Sequence, residues 1–435
     1  MGSENGLRVI IVGSGLAGLT AARILREHHQ DSTDLVCRVT IYERGSASVA
    51  TGGQGIIIAP NGVKILESIS YDRERTGAVP IYAIRTYDKD GNVGEEVDMD
   101  VKPRFGADCI ALKRSDFRDE LLRLATAPSV ELGIGGEPAK TVWNKGIVGL
   151  DAKAGVVELS DGEKVTADVI VVADGVHSRL RNSITRDESH KAKKTGLTCY
   201  RVAVSTADAQ KALGDLPLPH WWDPDTSKNC SSVIMAGDGT QRMVTAYPIR
   251  HQTYFNLSCI MRTEESSQSA TESWHAEGDR AKMLESFSVF GESLHKILRY
   301  QVNIDSAATE VKIWELQDLE PLPTWVRGRA IVIGDAAHAM TPMQGQGANM
   351  SIEDAESLRL LETGAQRDEV PDILKLAESV RRPRVVKILE ETRKSHTALG
   401  TVAERMLRNL DFNCSYNGIY QALKAKKEES TTMTA

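Results

Sequence analysis

Apolar residues along the chain fall into two kinds of run. Val9-Ile10-Ile11-Val12, Val169-Ile170-Val171-Val172-Ala173 and Ala330-Ile331-Val332-Ile333 are continuous, the pattern of strands buried on both faces. After the first run comes a glycine turn. Leu16, Leu19, Ala22, Ile24 and Leu25 then suit a helix reaching His28, and Val39-Thr40-Ile41-Tyr42 reads as a second strand beyond the loop His28 to Asp34. Together these predict a βαβ unit. The stretches Thr198 to Val204, Met243 to Ile249 and Tyr254 to Ile260 alternate instead, and predict strands of a separate, largely antiparallel sheet. After Asp354 the pattern is helical almost to the end, with Pro383 as an expected break and a polar tail from Lys426 to Ala435. There is no internal repeat.

Each continuous run ends in a turn carrying glycine. Gly13-Ser14-Gly15-Leu16-Ala17-Gly18 lies between a strand and a helix, the context that makes G-x-G-x-x-G a dinucleotide fingerprint. The first glycine permits the tight turn, the second lets backbone approach a pyrophosphate, and the third allows close helix packing. The helix amino terminus, with Leu16 and Ala17, faces the phosphates. Glu43, with Arg44 beside it, ends the second strand where a ribose is held. Ala173-Asp174-Gly175-Val176-His177-Ser178 closes the second run and Gly334-Asp335-Ala336-Ala337-His338 the third. The expected fold class is therefore α/β, with a Rossmann-like domain assembled from discontinuous segments. By itself the fingerprint does not separate FAD from NAD.

These three motifs, in this order and at these spacings, resemble the FAD-dependent aromatic hydroxylases related to salicylate hydroxylase and para-hydroxybenzoate hydroxylase, in the style of fungal secondary-metabolism members. The resemblance implies an FAD-binding domain from residues 1–75, 102–187 and 322–365, and an α+β substrate domain with an antiparallel sheet from 76–101 and 188–321. Helices and the polar tail would fill 366–435. It further implies one tightly bound FAD per chain, with NAD(P)H docking transiently in a shared groove, since no second βαβ fingerprint exists. The reaction implied is hydroxylation or epoxidation of an electron-rich aromatic or ring-containing small molecule with O2, through a flavin C4a-hydroperoxide.

Residue by residue, the resemblance places Asp335 on the ribityl or pyrophosphate region, and Asp174 and Gly175 where FAD and the visiting nicotinamide are bound. The loop Thr341 to Asn349 would press the backbone of Gly345, Gly347, Ala348 and Asn349 against the flavin ring, with a helix behind it whose positive end stabilises the reduced, anionic flavin. Pro342 would lie over the ring beside the substrate. Relatives often carry His after this proline; here it is Met343. Arg114, before Ser115 as the expected N-cap of a helix, would contact the cofactor. Gly52-Gly53-Gln54-Gly55-Ile56 would border the flavin through Gly55 and Ile56. On the substrate side, Arg201 resembles an arginine that is catalytic or substrate-orienting in fungal alkaloid-modifying relatives, against the competing reading of a strand arginine paired with an acid. Tyr247 joins Arg201 and Pro342 as a candidate catalytic residue. His220-Trp221-Trp222 suits either a hydrophobic pocket wall or, for each residue taken singly, core or surface packing.

Composition changes this picture little. With 41% hydrophobic and 26% charged residues the chain is ordinary for a globular protein, and its net charge of -7, without a basic stripe, argues against nucleic acid. The polar start, Met1 to Leu7, lacks the regions of a signal peptide, and no apolar run approaches the roughly 20 residues that span a bilayer. A cytoplasmic monomer or homodimer is expected. Six cysteines without CxxC spacing fit reduced structural thiols, and no metal site is expected. Two rivals share the first motif: another FAD oxidoreductase, halogenase-like or isoprenoid reductase-like, and a non-enzymatic carrier of prenylated partners of the Rab dissociation-inhibitor kind. The Trp-rich motif of halogenases is missing. Asp335 and its glycine loop favour a filled cofactor site over the carrier.

Overall fold

The computed structural model describes residues 6–27, 37–47, 54–227, 229–263, 280–303, 312–361, 365–394, 404 and 407–434. The loop His28 to Asp34, and Gly52 and Gly53, fall outside them. The continuous runs form a six-stranded sheet in the order Val326–Arg327, Ala330–Val332, Val169–Val172, Arg8–Val12, Arg38–Tyr42, Lys140–Val142. All neighbours are parallel except the first pair. Val169–Val172 is buried at every position, as a central strand covered on both faces must be. The helix Leu16–Glu27 packs on this sheet, crossing between the first two strands of the chain.

The alternating stretches form a seven-stranded sheet, ordered Lys312–Asp318, Lys193–Ser205, Tyr254–Arg262, Met243–Ile249, Cys230–Met235, Ala83–Tyr87, Val93–Asp98. It is antiparallel except where Cys230–Met235 meets Ala83–Tyr87. One face, with Tyr200, Val202, Val204, Val244, Leu257 and Cys259, packs on helices Thr206–Leu213 and Glu292–Asn303. The other face carries Cys199, Arg201, Thr245, Tyr247, Asn256 and Ser258, because strand side chains alternate. A small sheet of Gly55–Ile58, Cys109–Lys113 and Val79–Ile81 lies against that second face, through Gly55 on Asn256 and Tyr247.

Three local expectations are corrected. The helix near Arg114 runs Arg114–Thr126, so Ser115 sits in its first turn and is not the N-cap; Lys113 takes that place without a side-chain bond. Pro383 does not break its helix, which runs unbroken from Val370 to Lys394. The expected polar tail is largely a helix, Ile419–Thr434. It starts where Ile419 N–H donates to Glu356 (3.0 Å), a partner far away in sequence. All six cysteines are buried and none forms a disulfide.

The C-terminal helices are held by a buried ionic network. Glu353 and Asp354 lie on the helix Gly347–Ser357 and are 0% and 1% exposed. Arg381 donates to both carboxylates, at 3.1 Å to Asp354. Arg384 adds two bonds to Glu353 (2.8 and 2.9 Å), and Asn61 a third (2.7 Å). Asp354 also accepts from the His338 ring (2.5 Å) and from Gly334 N–H (3.0 Å). Burial raises both carboxyl pKa values, but the surrounding cations and donors outweigh it and hold both below the ordinary range.

Removing one member of such a network leaves a buried charge unpaired. Arg381→Ala is expected to lose about 3–5 kcal/mol in urea unfolding; a loss under about 1 kcal/mol would mean that water reaches the pair. Because the folded-state carboxyl values are depressed, their contribution is complete above the ordinary carboxylate range and drains as pH falls through the depressed values. Stability should therefore hold down to about pH 5 and fall as the pH drops further, less steeply in Asp354→Asn, as urea midpoints would show.

Candidate functional site

The fingerprint turn is built by sterics. Gly13 has φ +100°, and a Cβ on it would stand 2.6 Å from Ala173 O; one on Gly18 would stand 2.1 Å from Gly13 O. Neither position admits a side chain. Gly15 differs, since a Cβ there would meet nothing within 4 Å. Leu16 and Ala17 point into the core at 7% and 8% exposure, which leaves their backbone N–H groups, in the unpaired first turn, to face a ligand.

Glu43 closes this end of the site. One of its oxygens accepts from Ser14 N–H (2.8 Å) and Ser14 Oγ (2.9 Å), the other from Gly45 N–H (2.8 Å). A carboxylate has about four lone-pair sites, so Oε1 retains room for a hydroxyl. Burial pushes the Glu43 pKa up, but the Gly45 and Ser14 bonds and the nearby Arg118 cation bring it below the ordinary value. Arg118 donates to Ser14 Oγ (3.2 Å). Sequence reasoning missed Ser14 and Arg118; the spacing of Arg118 one helical turn beyond Arg114 was the available signal. Arg44 is exposed beside Glu43.

The third motif meets the first directly. A Cβ on Gly334, which has φ +60°, would lie 2.9 Å from Ala17 Cβ. Asp335 opens the short helix Asp335–His338 with its side chain exposed, so the carboxylate faces open space. Burial holds the Arg114 guanidinium below its ordinary pKa, Asp335 opposes this and Arg201 reinforces it, so three charges from three distant segments converge. Arg114 N–H donates to Gln54 O (2.8 Å), and Gly55 N–H donates to Asn256 (2.7 Å). A Cβ on Gly55 would collide with Asn256 and Tyr247, so only glycine lets the nucleotide side touch the antiparallel sheet here. Ile56 is half-buried beside it.

The glycine loop follows the same logic. Gly345 has φ +62° and open space over it, and Gly347 starts the helix Gly347–Ser357. Asn349 is fully buried, its side chain accepting from Ala59 N–H (3.0 Å) and donating to Gly345 O (2.8 Å). That side chain braces the loop, leaving the backbone of Ala348 and Asn349 as their offering to a ligand. At the second motif Gly175 is open with φ +85°. The Asp174 side chain turns inward to accept from Arg179 N–H (3.0 Å), and burial raises its pKa. Arg181, also missed from sequence, ties the second motif to the third by donating to Val176 O (2.9 Å) and Ala336 O (2.6 Å).

From the opposite sheet, Arg201 lies 5.3 Å from the Trp314 ring centroid with its Nε buried and without a hydrogen-bond partner. Its ladder neighbours are Ser258 and Lys312, so the expected alternative of an arginine paired with an acid finds no partner among the described residues. Tyr247 is buried against Gly55, and burial drives its phenol pKa up. Pro342 starts a single 3-10 turn, and Met343 after it packs on Leu197, Ile260 and Leu316 of the sheet. The pocket-wall reading of Trp221 and Trp222 is overturned. Both lie in the core on the far face, Trp222 stacked on Phe255 at 4.2 Å, and His220 bonds Tyr87 OH (3.0 Å).

A cleft of about 420 Å³ lies elsewhere, between Arg75, Gly77, Asp116, Glu120, Arg250 and His251. Its charges pair with one another, Arg75 with Glu120 (3.1 Å) and Arg250 with Asp116 (3.3 Å), so it offers less chemistry than the glycine-lined region. Among the described residues no cluster of His, Cys, Asp or Glu is arranged to hold a metal, and no helix is long and apolar enough to cross a membrane.

Comparison with known proteins agrees with this geometry. The profile of the FAD binding domain family matches residues 6–392. The FAD-dependent monooxygenase cfoG of Aspergillus candidus is 30% identical over 404 residues, 91% of this chain and 87% of that protein. Hispidin-3-hydroxylase of Neonothopanus nambi is 28% identical, with coverage of 89% and 88%. Among solved structures, CtdE in complex with FAD and a substrate superposes with TM-score 0.72 at 22% identity, covering 98% of this chain and 99% of that one. A salicylate hydroxylase substrate complex gives 0.68 at 21%, covering 97% and 98%. Open glycines at 15, 175 and 345, a desolvated cation at Arg114 and an unshielded Asp335 are what an extended dinucleotide with a charged pyrophosphate requires. The chain thus belongs to the FAD binding domain family and is an FAD-dependent monooxygenase.

Proposed function

We propose that this enzyme uses NAD(P)H and O2 to hydroxylate, or epoxidise, an electron-rich aromatic or ring-containing small molecule. The observation that carries this reading is that the third motif packs on the fingerprint helix through Gly334 and Ala17 while Gly55 brings the nucleotide side onto Asn256 and Tyr247 of the antiparallel sheet, with Arg114 within electrostatic reach of both Asp335 and Arg201. Several relatives are named for phenolic substrates, among them hispidin-3-hydroxylase and a 3-amino-4-hydroxybenzoate 2-monooxygenase of Streptomyces platensis. When bound, FAD supplies hydride acceptance and oxygen activation. On this reading residues 1–75, 102–187 and 322–365 carry the FAD and residues 76–101 and 188–321 the substrate, in a cytoplasmic monomer or homodimer.

The chain's own residues then have separable tasks. First-turn N–H groups of Leu16 to Gly18 and the Arg114 guanidinium hold the pyrophosphate. Glu43 Oε1 takes an adenosine ribose hydroxyl, and Asp335 accepts from the ribityl side. Gly55, Ile56, Gly345 and Gly347 let backbone lie against the ring, with Asp174 and Gly175 bordering the groove that admits the nicotinamide. The amino terminus of Gly347–Ser357 presents its positive end where negative charge develops. Pro342 fixes the ring's substrate side, while Arg201 and Tyr247 orient the substrate. The apolar cluster around Met343 keeps water from the reacting centre.

Purified protein should be yellow with a flavin spectrum, and some aromatic compounds should both accelerate NAD(P)H oxidation and emerge one oxygen atom heavier. Accelerated oxidation without an oxygenated product from any compound would refute the monooxygenation proposed here. Gly15→Ala should leave the unfolding midpoint of flavin-free protein within about 0.5 kcal/mol while flavin affinity falls about tenfold. Gly18→Ala, by contrast, should lower both; equal effects of the two would remove Gly15 from the site. Asp335→Ala should weaken flavin retention by roughly 2 kcal/mol, read as the dissociation constant of added FAD. Arg201→Ala is expected to keep its flavin and lose product formation, and unchanged turnover would return Arg201 to a structural role.

A further inference from the structure

Gln54 stands just before the strand Gly55–Ile58, and its carbonyl continues the pairing by accepting from Arg114 N–H (2.8 Å). Gly55 lies opposite Lys113 in that antiparallel pair, so Gln54 lies opposite Arg114, and residues directly opposite share a face. Alternation sorts the rest. Gly55 and Ile57 turn to the antiparallel sheet and the cluster of Tyr247 and Ile249, whereas Ile56 and Ile58 join the nucleotide core. Gln54 therefore belongs with Ile56, on the nucleotide side and beside Arg114.

Its side chain is in an unusual state there. Gln54 is 2% exposed, and both its amide nitrogen and its amide oxygen are buried without a hydrogen-bond partner among the described residues. A carboxamide has two donor hydrogens and two acceptor lone pairs, and burying them unpaired destabilises a fold. Other buried amides near the site are answered: Asn349 by Ala59 and Gly345, Asn256 by Gly55 and Ser258. Arg114 cannot complete Gln54, because a guanidinium offers donors only and leaves the amide N–H groups without an acceptor. An apolar side chain would fill the same space at lower cost, so the amide points to a group from outside the chain that carries an acceptor and a donor side by side. The polar edge of an isoalloxazine ring has that pattern, with carbonyl oxygens flanking an imide N–H.

We propose that Gln54 is a cofactor-binding residue that holds the flavin ring itself, its amide N–H groups donating to a ring carbonyl and its oxygen accepting from the imide N–H. This rests on the FAD-monooxygenase reading, and it adds a side-chain contact to a segment whose offering to the ring is otherwise backbone. Arg114 and Ile56, on the same face, are only half-buried, so that face is open at its rim. Glutamine turns about its side-chain bonds between staggered positions, and such a turn carries the amide from its sealed position to the rim as the ring arrives. Flavin-free protein then carries an unpaired buried amide as a destabilising element, and the ring relieves it. Stability without flavin and affinity for flavin accordingly respond to Gln54 with opposite signs.

The test compares the full-length parent with Gln54→Leu and Gln54→Met, both apolar and close to glutamine in size. Three quantities are measured: the urea midpoint of flavin-free protein, the dissociation constant of FAD, and that of ADP, which shares the adenosine and pyrophosphate but has no ring. Each variant should show a higher midpoint, FAD binding weakened about tenfold, and ADP binding within about twofold of the parent. Unchanged FAD affinity overturns the proposal, because the amide then does not meet the ring. ADP binding weakened as much as FAD binding overturns it too, since the effect would lie at the pyrophosphate. A midpoint that fails to rise in both variants, or failure of both to fold, would show that the amide serves the flavin-free fold, and is equally fatal. Parent protein that binds ADP but takes up no FAD would refute instead the cofactor assignment on which the proposal rests.

Discussion

Two carboxylates side by side on one helix, Glu353 and Asp354, are almost fully removed from water, and the site depends on how that burial is compensated. An isolated buried carboxylate would take up a proton or unfold its surroundings. Here Arg381 and Arg384 arrive from the helix Val370–Lys394, His338 and Gly334 from the third motif, and Asn61 from the helix after Gly55–Ile58. Asp354 therefore holds both ends of the turn that presents Asp335. Glu353 in turn ties the helix Pro60–Ser68, which follows the strand Gly55–Ile58, to the glycine loop through Asn61 and Gln346. The C-terminal helices are not an appendage; their arginines fix the geometry of a nucleotide site whose fingerprint lies at the other end of the chain.

A second constraint acts where the two larger sheets approach. The nucleotide side has to come within backbone distance of the antiparallel sheet if a flavin ring is to reach a substrate. Gly55 makes this possible, because any side chain there would occupy the space of Asn256 and Tyr247. Asn256 then caps the Gly55 N–H, which would otherwise be an unpaired buried donor. Elsewhere along the same sheet, Met343 reaches from the loop to the cluster of Leu197, Cys199, Ile260 and Leu316. Arg114 lies within electrostatic reach of both Asp335 and Arg201, while the cluster that Met343 joins is apolar. A flavin ring and a flat substrate fit that division: polar where phosphate and reduced flavin carry charge, apolar where water would waste the activated oxygen.

Much of this was legible in the linear chain, and for definite reasons. Continuous β-branched runs suit strands covered on both faces, so Val9–Val12, Val169–Val172 and Ala330–Val332 declare a parallel sheet by their composition alone. The glycines at 13 and 18 were legible because backbone sterics alone demand them, whereas Gly334 and Asp335 were legible through the resemblance of their turn to the family's third motif. Alternation marked the antiparallel strands but not which of their residues face the flavin region. Trp221 and Trp222 suit either a pocket wall or packing in sequence and are core, since the face a side chain takes depends on what covers each side of the sheet.

What tertiary structure alone decided is the set of partners. Arg118 on Ser14, Arg181 across two motifs, Arg381 and Arg384 on Glu353, and Glu356 capping the start of Ile419–Thr434 are all long-range pairs between residues that, read singly, look like ordinary surface charges. The same is true of Pro383, tolerated inside a helix that its neighbours hold in place, and of Arg201, whose lack of an acidic partner appears only once Ser258 and Lys312 are seen beside it. Local sterics and periodicity are properties of a sequence, so the sequence determined the turns and the sheets. Desolvation is a property of surroundings, so only the folded chain decided which charges are buried and what each must be paired with.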